Sequence, residues 1–200
     1  FTNPKQAFLD AENAKNEGYY FIHPFDGPLT LQGSATLGLE IVEYLKSINT
    51  KIDNLLISVG GGGLISGVSS YIKQFYPKIK IIGVEPENAN GLNQSLRANK
   101  PLNNVNVNSI ADSLSAPLHM QYSFDVAKEV IDEMVTVSDD EMKKFMVFCY
   151  KKFKLFLEPA CVAGLAALKY KINNKLIGKN TMVILCGSNI DKKTWLDLTY

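Results

Sequence analysis

Apolar positions along this chain fall into two spacings, one helical and one continuous. In residues 3–18, NPKQAFLDAENAKNEG, Phe8, Ala11 and Ala14 recur at helical intervals. The run stops at Gly18, a residue suited to the position just past a helix end. YYFIH at 19–23 predicts a short strand and PFDGP a turn. Residues 34–48, SATLGLEIVEYLKSI, place Leu37, Ile41 and Leu45 on one helical face. NLLISV at 54–59 is continuously apolar, the pattern of a strand buried on both faces. A helix over 64–75 follows, then KIKIIGV as the next buried strand and a helix over 92–99. An asparagine-rich connection spans 103–109. DEMVTV predicts a strand, and SDDE at 138–141 a capping box in which Ser138 and Glu141 satisfy each other's backbone amides. That box opens a helix running to 154. EPACVAGLAALKY carries Pro159 at a first helical position, and NTMVILCGSN closes as a buried strand ending in a polar turn. Strands alternate with helices throughout. The fold class is therefore α/β, with a mostly parallel sheet covered on both faces.

Composition narrows the partners more than the fold. With 200 residues, 46% of them hydrophobic, the chain is large enough for a real core. A net charge of +1 points to neither nucleic acid nor an anionic membrane. Residues 54–72 lack any charge, but the glycines and serines within them make strand, turn and helix rather than a membrane span. Cys149, Cys161 and Cys186 are an odd set with no CxxC spacing, so reduced thiols in a cytoplasmic protein are expected. No signal-peptide pattern opens the sequence. The lysines at 143, 144, 151, 152 and 154 read as the solvated face of one helix. His23 and His119 lack the partners of a triad or metal site and are expected in surface or loop roles. Arg97 is the single arginine, so an anion site must lean on backbone amides, helix N-termini or lysine.

Such a site is indicated by SVGGGGLISG, four glycines between a buried strand and a helix. The free amides of a helix's first turn and its macrodipole favour an anion there, and side chains would block close approach. The plainer alternative is a turn that only permits tight strand–helix packing. A dinucleotide fingerprint fails narrowly, because Ile65 or Ser66 stands at the third glycine position. Glu85, after the next strand, lies where a ribose-binding acid would, so a nicotinamide-dependent oxidoreductase stays open as an alternative. A Walker loop is excluded by the absence of Gly-Lys-Ser/Thr. A cofactor monophosphate is the second candidate.

Five segments, SVGGGGLISGV, IIGVEPENA, IADSLSAP, EPACVAGLAAL and VILCGSNID, occur in this order, preceded by HPFD and QGSATLGLEI. Together they resemble the serine/threonine dehydratase family, pyridoxal-phosphate enzymes of fold type II that include serine racemase. The resemblance runs from the first helix to the last strand. It implies that Gly60, Gly61, Gly62, Gly63 and the amide of Leu64 bind the cofactor phosphate. It also implies that Cys186 faces the pyridine nitrogen as a small neutral group, which moderates the electron sink and favours β-elimination. Read locally, Cys186 is a small buried thiol at a strand end. Glu158 matches a family glutamate near the ring, and read locally it is an acid satisfying a helix dipole. EPENANG matches a segment that binds Mg²⁺ or Ca²⁺ in some members. Glu85 and the Ala89 carbonyl fit two ligands, but Gly91 stands where the third carboxylate belongs, so a divalent cation is in doubt. Ser113 replaces a common family glycine, a form resembling the threonine/serine dehydratase subgroup.

The resemblance further implies one domain over 1–200, the larger phosphate-binding one, with 1–25 assignable to the end of a smaller domain. The family's Schiff-base lysine lies in a Ser-x-Lys-x-Arg type segment ahead of the glycine loop, and no such segment occurs here. The chain is thus expected to be the C-terminal portion of a larger enzyme, without a catalytic residue of its own and inactive alone. The complete protein is expected to act on a small hydroxy amino acid, as a homo-oligomer (dimer or tetramer), releasing a 2-oxo acid and ammonia. A racemase of the same family and a non-catalytic phosphate-binding remnant are the other readings.

Overall fold

The computed structural model describes residues 4–200. Among them β1 (Asn54–Ser58), β2 (Lys80–Pro86), β3 (Glu133–Val137) and β4 (Thr181–Val183) form one sheet in the order β3-β2-β1-β4. All three pairings are parallel, and Asn54 stands opposite both Lys80 and Thr181. Parallel neighbours need long crossovers. Here α3 (Gly63–Phe75) joins β1 to β2, and α4 (Gly91–Ala98) and α5 (Gln121–Val130) lie between β2 and β3. The helices α6 (Asp139–Phe153) and α7 (Pro159–Tyr170) lie between β3 and β4. α1 (Pro4–Ala14) and α2 (Pro28–Ser47) precede the sheet and α8 (Lys192–Thr199) follows it.

Every residue of β1 is buried, as its unbroken apolar run predicts. Alternate side chains enter different cores. Leu55, Ile57 and Ile81 join Ile41, Leu45, Val68, Ile72 and Phe124 from α2, α3 and α5. Leu56, Ile82 and Val84 join Met142, Met146, Cys161, Ala163 and Trp195 from α6, α7 and α8. The sheet is therefore covered on both faces. No helix among the described residues is long and apolar enough to cross a membrane.

Several expected boundaries hold. Ser138 Oγ accepts the Glu141 amide at 3.2 Å while Glu141 Oε2 accepts the Ser138 amide at 2.9 Å, the capping box that starts α6. Gly18 ends the first helical stretch at φ +92°. Asn3, the first residue of that predicted helix, lies outside the described residues. Others need correction. Residues 19–23 form no strand; they have no strand partner among the described residues, and Phe21 and His23 instead join Phe8 and Phe25 in a ring cluster. α2 begins at Pro28, behind Gly27 at φ +92°, six residues earlier than its apolar face suggests. β4 is short and only half-buried. Neither α5 nor α8 was anticipated. α5 is held by Phe124, Ala127 and Val130, and α8 by the buried Trp195 with Asp191 capping the Thr194 amide.

Two glycines let α2 and α3 touch backbone to backbone. A Cβ at Gly67 would lie 2.4 Å from the Leu31 carbonyl oxygen, and one at Gly38 would lie 2.8 Å from that of Val68. Gly67→Ala is expected to force the helices apart and destabilise the chain by about 1–3 kcal/mol. Urea unfolding of variant and wild type side by side checks this.

Candidate active site

Strand order reverses between β1 and β4: from β1 the chain steps outward to β2 and β3, and only later returns to β1's other side. In open parallel sheets the crevice beyond the strand ends at such a switch point is where ligands bind. Here it holds a pocket of about 310 Å³ lined by Gly60 to Ile65 from the end of β1, Cys186 from beyond β4, and Ser113, Glu158 and Phe25. The Val59 amide still pairs with Val84 at 2.8 Å, extending the sheet one residue past β1. Beyond it, the amides of Gly60 through Ile65 donate to no protein acceptor among the described residues. The last three open α3, and Gly62 caps that helix at φ +91°. Consecutive free amides at a helix N-terminus, with no arginine beside them, suit a phosphate monoester.

The glycines also answer to the protein. A Cβ at Gly60 would sit 3.0 Å from both the Leu114 Cα and the Ser113 carbonyl oxygen. One at Gly61 would sit 2.2 Å from the Phe25 ring, and one at Gly63 would sit 2.8 Å from the Phe25 backbone. The plainer alternative, tight packing, is therefore present in this loop, and it leaves the unpartnered amides available to an anion as well. Phe25 is itself held firmly, since its neighbour Asp26 accepts the Ser123 amide at the start of α5 at 2.7 Å. Phe25 as a wall of the pocket was legible only as part of HPFD.

Glu158 stands at the N-cap of α7 but makes no side-chain cap bond. Its Oε1 accepts the Ser113 hydroxyl at 3.3 Å and its Oε2 the Asn189 amide at 3.0 Å. A Cβ at Gly187 would come within 2.7 Å of Oε1, so the glycine of CGSN is there to let that turn close on the carboxylate. Glu158 thereby ties the 112–115 loop, α7 and the turn after β4 into one wall. Cys186 is exposed on that wall rather than buried at a strand end. Its thiol is pushed above the ordinary range, first by its hydrogen bond with Cys161 and then by desolvation, so it stays protonated. No lysine lines the pocket among the described residues.

Glu85 serves elsewhere. It is fully buried, and its two oxygens accept the Leu92 amide at 2.8 Å and the Asn93 amide at 2.9 Å, capping α4. Both oxygens of this carboxylate are taken, so it does not present itself as a ribose-binding acid. Ala89 is buried in a short 3₁₀ turn. A Cβ at Gly91 would meet His119 Cε1 at 2.6 Å and Val105 at 3.0 Å, leaving no room for a carboxylate there. Among the described residues no group of three or more His, Cys, Asp and Glu side chains gathers to hold a metal ion. His119 lies in the loop before α5, as expected, but is buried there between Gly91 and the glycine loop, with Nε2 3.1 Å from the Gly60 carbonyl oxygen. Nothing in its spacing announced this. Burial lowers its basicity, so the neutral ring donates from Nε2.

Burial pushes the Glu85 carboxyl up to about 8 from its ordinary 4.5, outweighing the two amides that pull it down. A raised carboxyl binds its proton more tightly in the folded chain. Its contribution is thus full below the unfolded value and is lost as pH climbs through about 8. Unfolding free energy should fall over that window, and Glu85→Gln should flatten the fall. Because glutamine offers one acceptor for two amides, the variant should also lose about 1–3 kcal/mol at the acid end. Urea melts of both proteins across the pH range measure the two effects.

Comparisons with known proteins bear on the family and the fold. Residues 2–187 match the family model described as pyridoxal-phosphate dependent enzyme. Phenylserine dehydratase of Ralstonia pickettii is 41% identical over 179 residues, 90% of this chain and 54% of that protein. L-threonine ammonia-lyase of Thermotoga maritima is 36% identical over 174 residues, 87% of this chain and 42% of that one. The processed form of threonine deaminase isoform 2 from Solanum lycopersicum superposes with a TM-score of 0.86 at 34% identity, covering 94% of this chain and 54% of that one. Maize serine racemase superposes at 0.82 with 28% identity, covering 96% and 58%. The chain spans about half the length of the curated relatives it matches. These matches displace the nicotinamide alternative, and with the free-amide loop at the switch point they place the chain in the family of pyridoxal-phosphate dependent enzymes, with the α/β fold of its fold type II members.

Proposed function

We propose that this chain is the cofactor-phosphate-binding portion of an ammonia-lyase that converts a 3-hydroxy amino acid to a 2-oxo acid and ammonia. The observation that carries it is the run of free amides from Gly60 to Ile65, facing Cys186 across one pocket. When bound, pyridoxal phosphate supplies an electron sink for charge developing at the substrate Cα. The amides of Gly60 to Leu64 would hold its phosphate, with Phe25 packed behind the loop. The protonated Cys186 thiol would sit at the ring nitrogen without charging it. Glu158, spent on Ser113 and Asn189, keeps that wall in place. The proposal includes no divalent cation, because Glu85 is engaged with α4 and His119 fills the space beside Gly91. Its setting is the cytoplasm, for a protein with three free thiols. The dehydratase reading is preferred to a racemase because the curated relatives named here are a dehydratase and an ammonia-lyase.

Calorimetric titration tests the phosphate site without any need for turnover. Pyridoxine 5′-phosphate, which lacks the aldehyde, should bind, and inorganic phosphate should compete. Gly61→Ala, whose Cβ collides with the Phe25 ring, should weaken binding at least about tenfold, that is by 1.4 kcal/mol or more. Equal binding of unphosphorylated pyridoxine would refute phosphate recognition. Joined to the N-terminal half of the Ralstonia pickettii relative, the chain should release ammonia and a 2-oxo acid from phenylserine, threonine or serine. Inverted amino acid without ammonia would shift the assignment to a racemase.

A further inference from the structure

A buried imidazole meets the glycine loop from behind. His119 is 4% exposed, and its Nε2 lies 3.1 Å from the Gly60 carbonyl oxygen. A carbonyl only accepts, so Nε2 carries the proton. The neutral ring then leaves Nδ1 buried with no partner among the described residues. An apolar ring would fill the same space without that orphan nitrogen, whose desolvation is unfavourable. What an imidazole adds here is the bond to Gly60.

The ring is held in place from two sides. The His119 amide donates to the Leu102 carbonyl at 2.7 Å, and the Val105 amide to that of Pro117 at 2.8 Å. These bonds tie the segment before α5 to the connection after α4. The ring edge lies over Gly91, where a Cβ would stand 2.6 Å from Cε1. Gly60 and Gly61 line the pocket, and His119 does not. The peptide between those glycines is trans. In a planar trans peptide the carbonyl and the following N–H point in opposite directions. With the Gly60 oxygen turned back onto His119, the Gly61 N–H is turned the other way, and it has no protein acceptor among the described residues. Glycine on both sides leaves rotation of that plane unopposed by side chains. A rotated plane would present a carbonyl oxygen in place of the N–H and repel an anion.

We propose that His119 is a positioning residue for the anion-binding loop, holding the Gly60 carbonyl so that the Gly61 amide stays turned toward the pocket. It acts through one peptide plane rather than on the ligand itself. The role rests on the reading proposed above, in which the loop amides receive a phosphate.

Nitrogen-15 NMR of the ligand-free chain near neutral pH reads the tautomer, and Nε2 should be the protonated ring nitrogen. A proton on Nδ1 alone overturns the proposal before any ligand is added. Calorimetric titration with pyridoxine 5′-phosphate then reads the loop. His119→Phe keeps a ring and removes the donor, and it should weaken binding about fivefold or more, as expected for one lost hydrogen bond. His119→Gln places an N–H donor at similar reach and should keep affinity within about twofold of wild type. A role confined to filling space would not be rescued by that donor. The proposal is overturned if His119→Gln binds as weakly as His119→Phe, or if His119→Phe binds like wild type. Should His119→Phe fail to give a native circular dichroism spectrum, the tautomer and the affinity of His119→Gln still decide. A wild-type chain that does not bind pyridoxine 5′-phosphate is a different result: it removes the phosphate reading, and this role with it.

Discussion

The parallel pairing of β1 between β2 and β4 is the constraint on which the rest depends. A strand buried on every side cannot end in solvent; its last carbonyls and the following amides must be satisfied or aimed at something. Val59 still finds Val84, and then the pairing stops. The chain must turn at once into α3, which packs on the same sheet, and six amides in the residues lining the crevice are left without a protein acceptor among the described residues. The run of unpartnered amides is thus a by-product of sheet topology, sharpened by glycine.

Glycine there is demanded twice. Ser113 and Leu114 press on Gly60 from one side, and Phe25 presses on Gly61 and Gly63 from another. The loop is clamped between segments that come from before β1 and after β2. Glu158 performs a similar service opposite, holding Ser113, α7 and the last turn together with two hydrogen bonds. A preorganised pocket loses less on binding than one that must order its walls, and this one is braced on both sides.

Sequence made the framework readable where local chemistry was decisive. The unbroken apolar run of β1, the Ser138–Glu141 box and Pro159 at the start of α7 each carry their own signal, and each stands where expected. The glycine loop carried its own signal, lying between a buried strand and a helix, whereas Cys186 was singled out only by the family resemblance and read locally as a buried thiol. What escaped was set by distant partners. His119 gains its place from Gly60 and Gly91, Glu85 from the amides of α4, and Phe25 from glycines some thirty-five residues on. The five residues YYFIH have strand composition, but among the described residues they pair with no strand, and Phe21 and His23 join a ring cluster with Phe8 of α1 and Phe25 of the following turn. α8 depends on Trp195 reaching a core built mostly by α6 and α7.

The pairing of Asn54 with Thr181 spans most of the chain, and one wall of the pocket waits for it. Contacts so distant in sequence close slowly, because the entropy of the intervening loop is lost before the contact is gained. During synthesis the glycine loop, α3 and β2 can assemble long before β4 emerges, so the amide cradle exists for a time with only half its walls. A phosphate ligand captured at that stage would favour the docked form of β4 by mass action. Maturation of the site and loading of its ligand would then be one event rather than two.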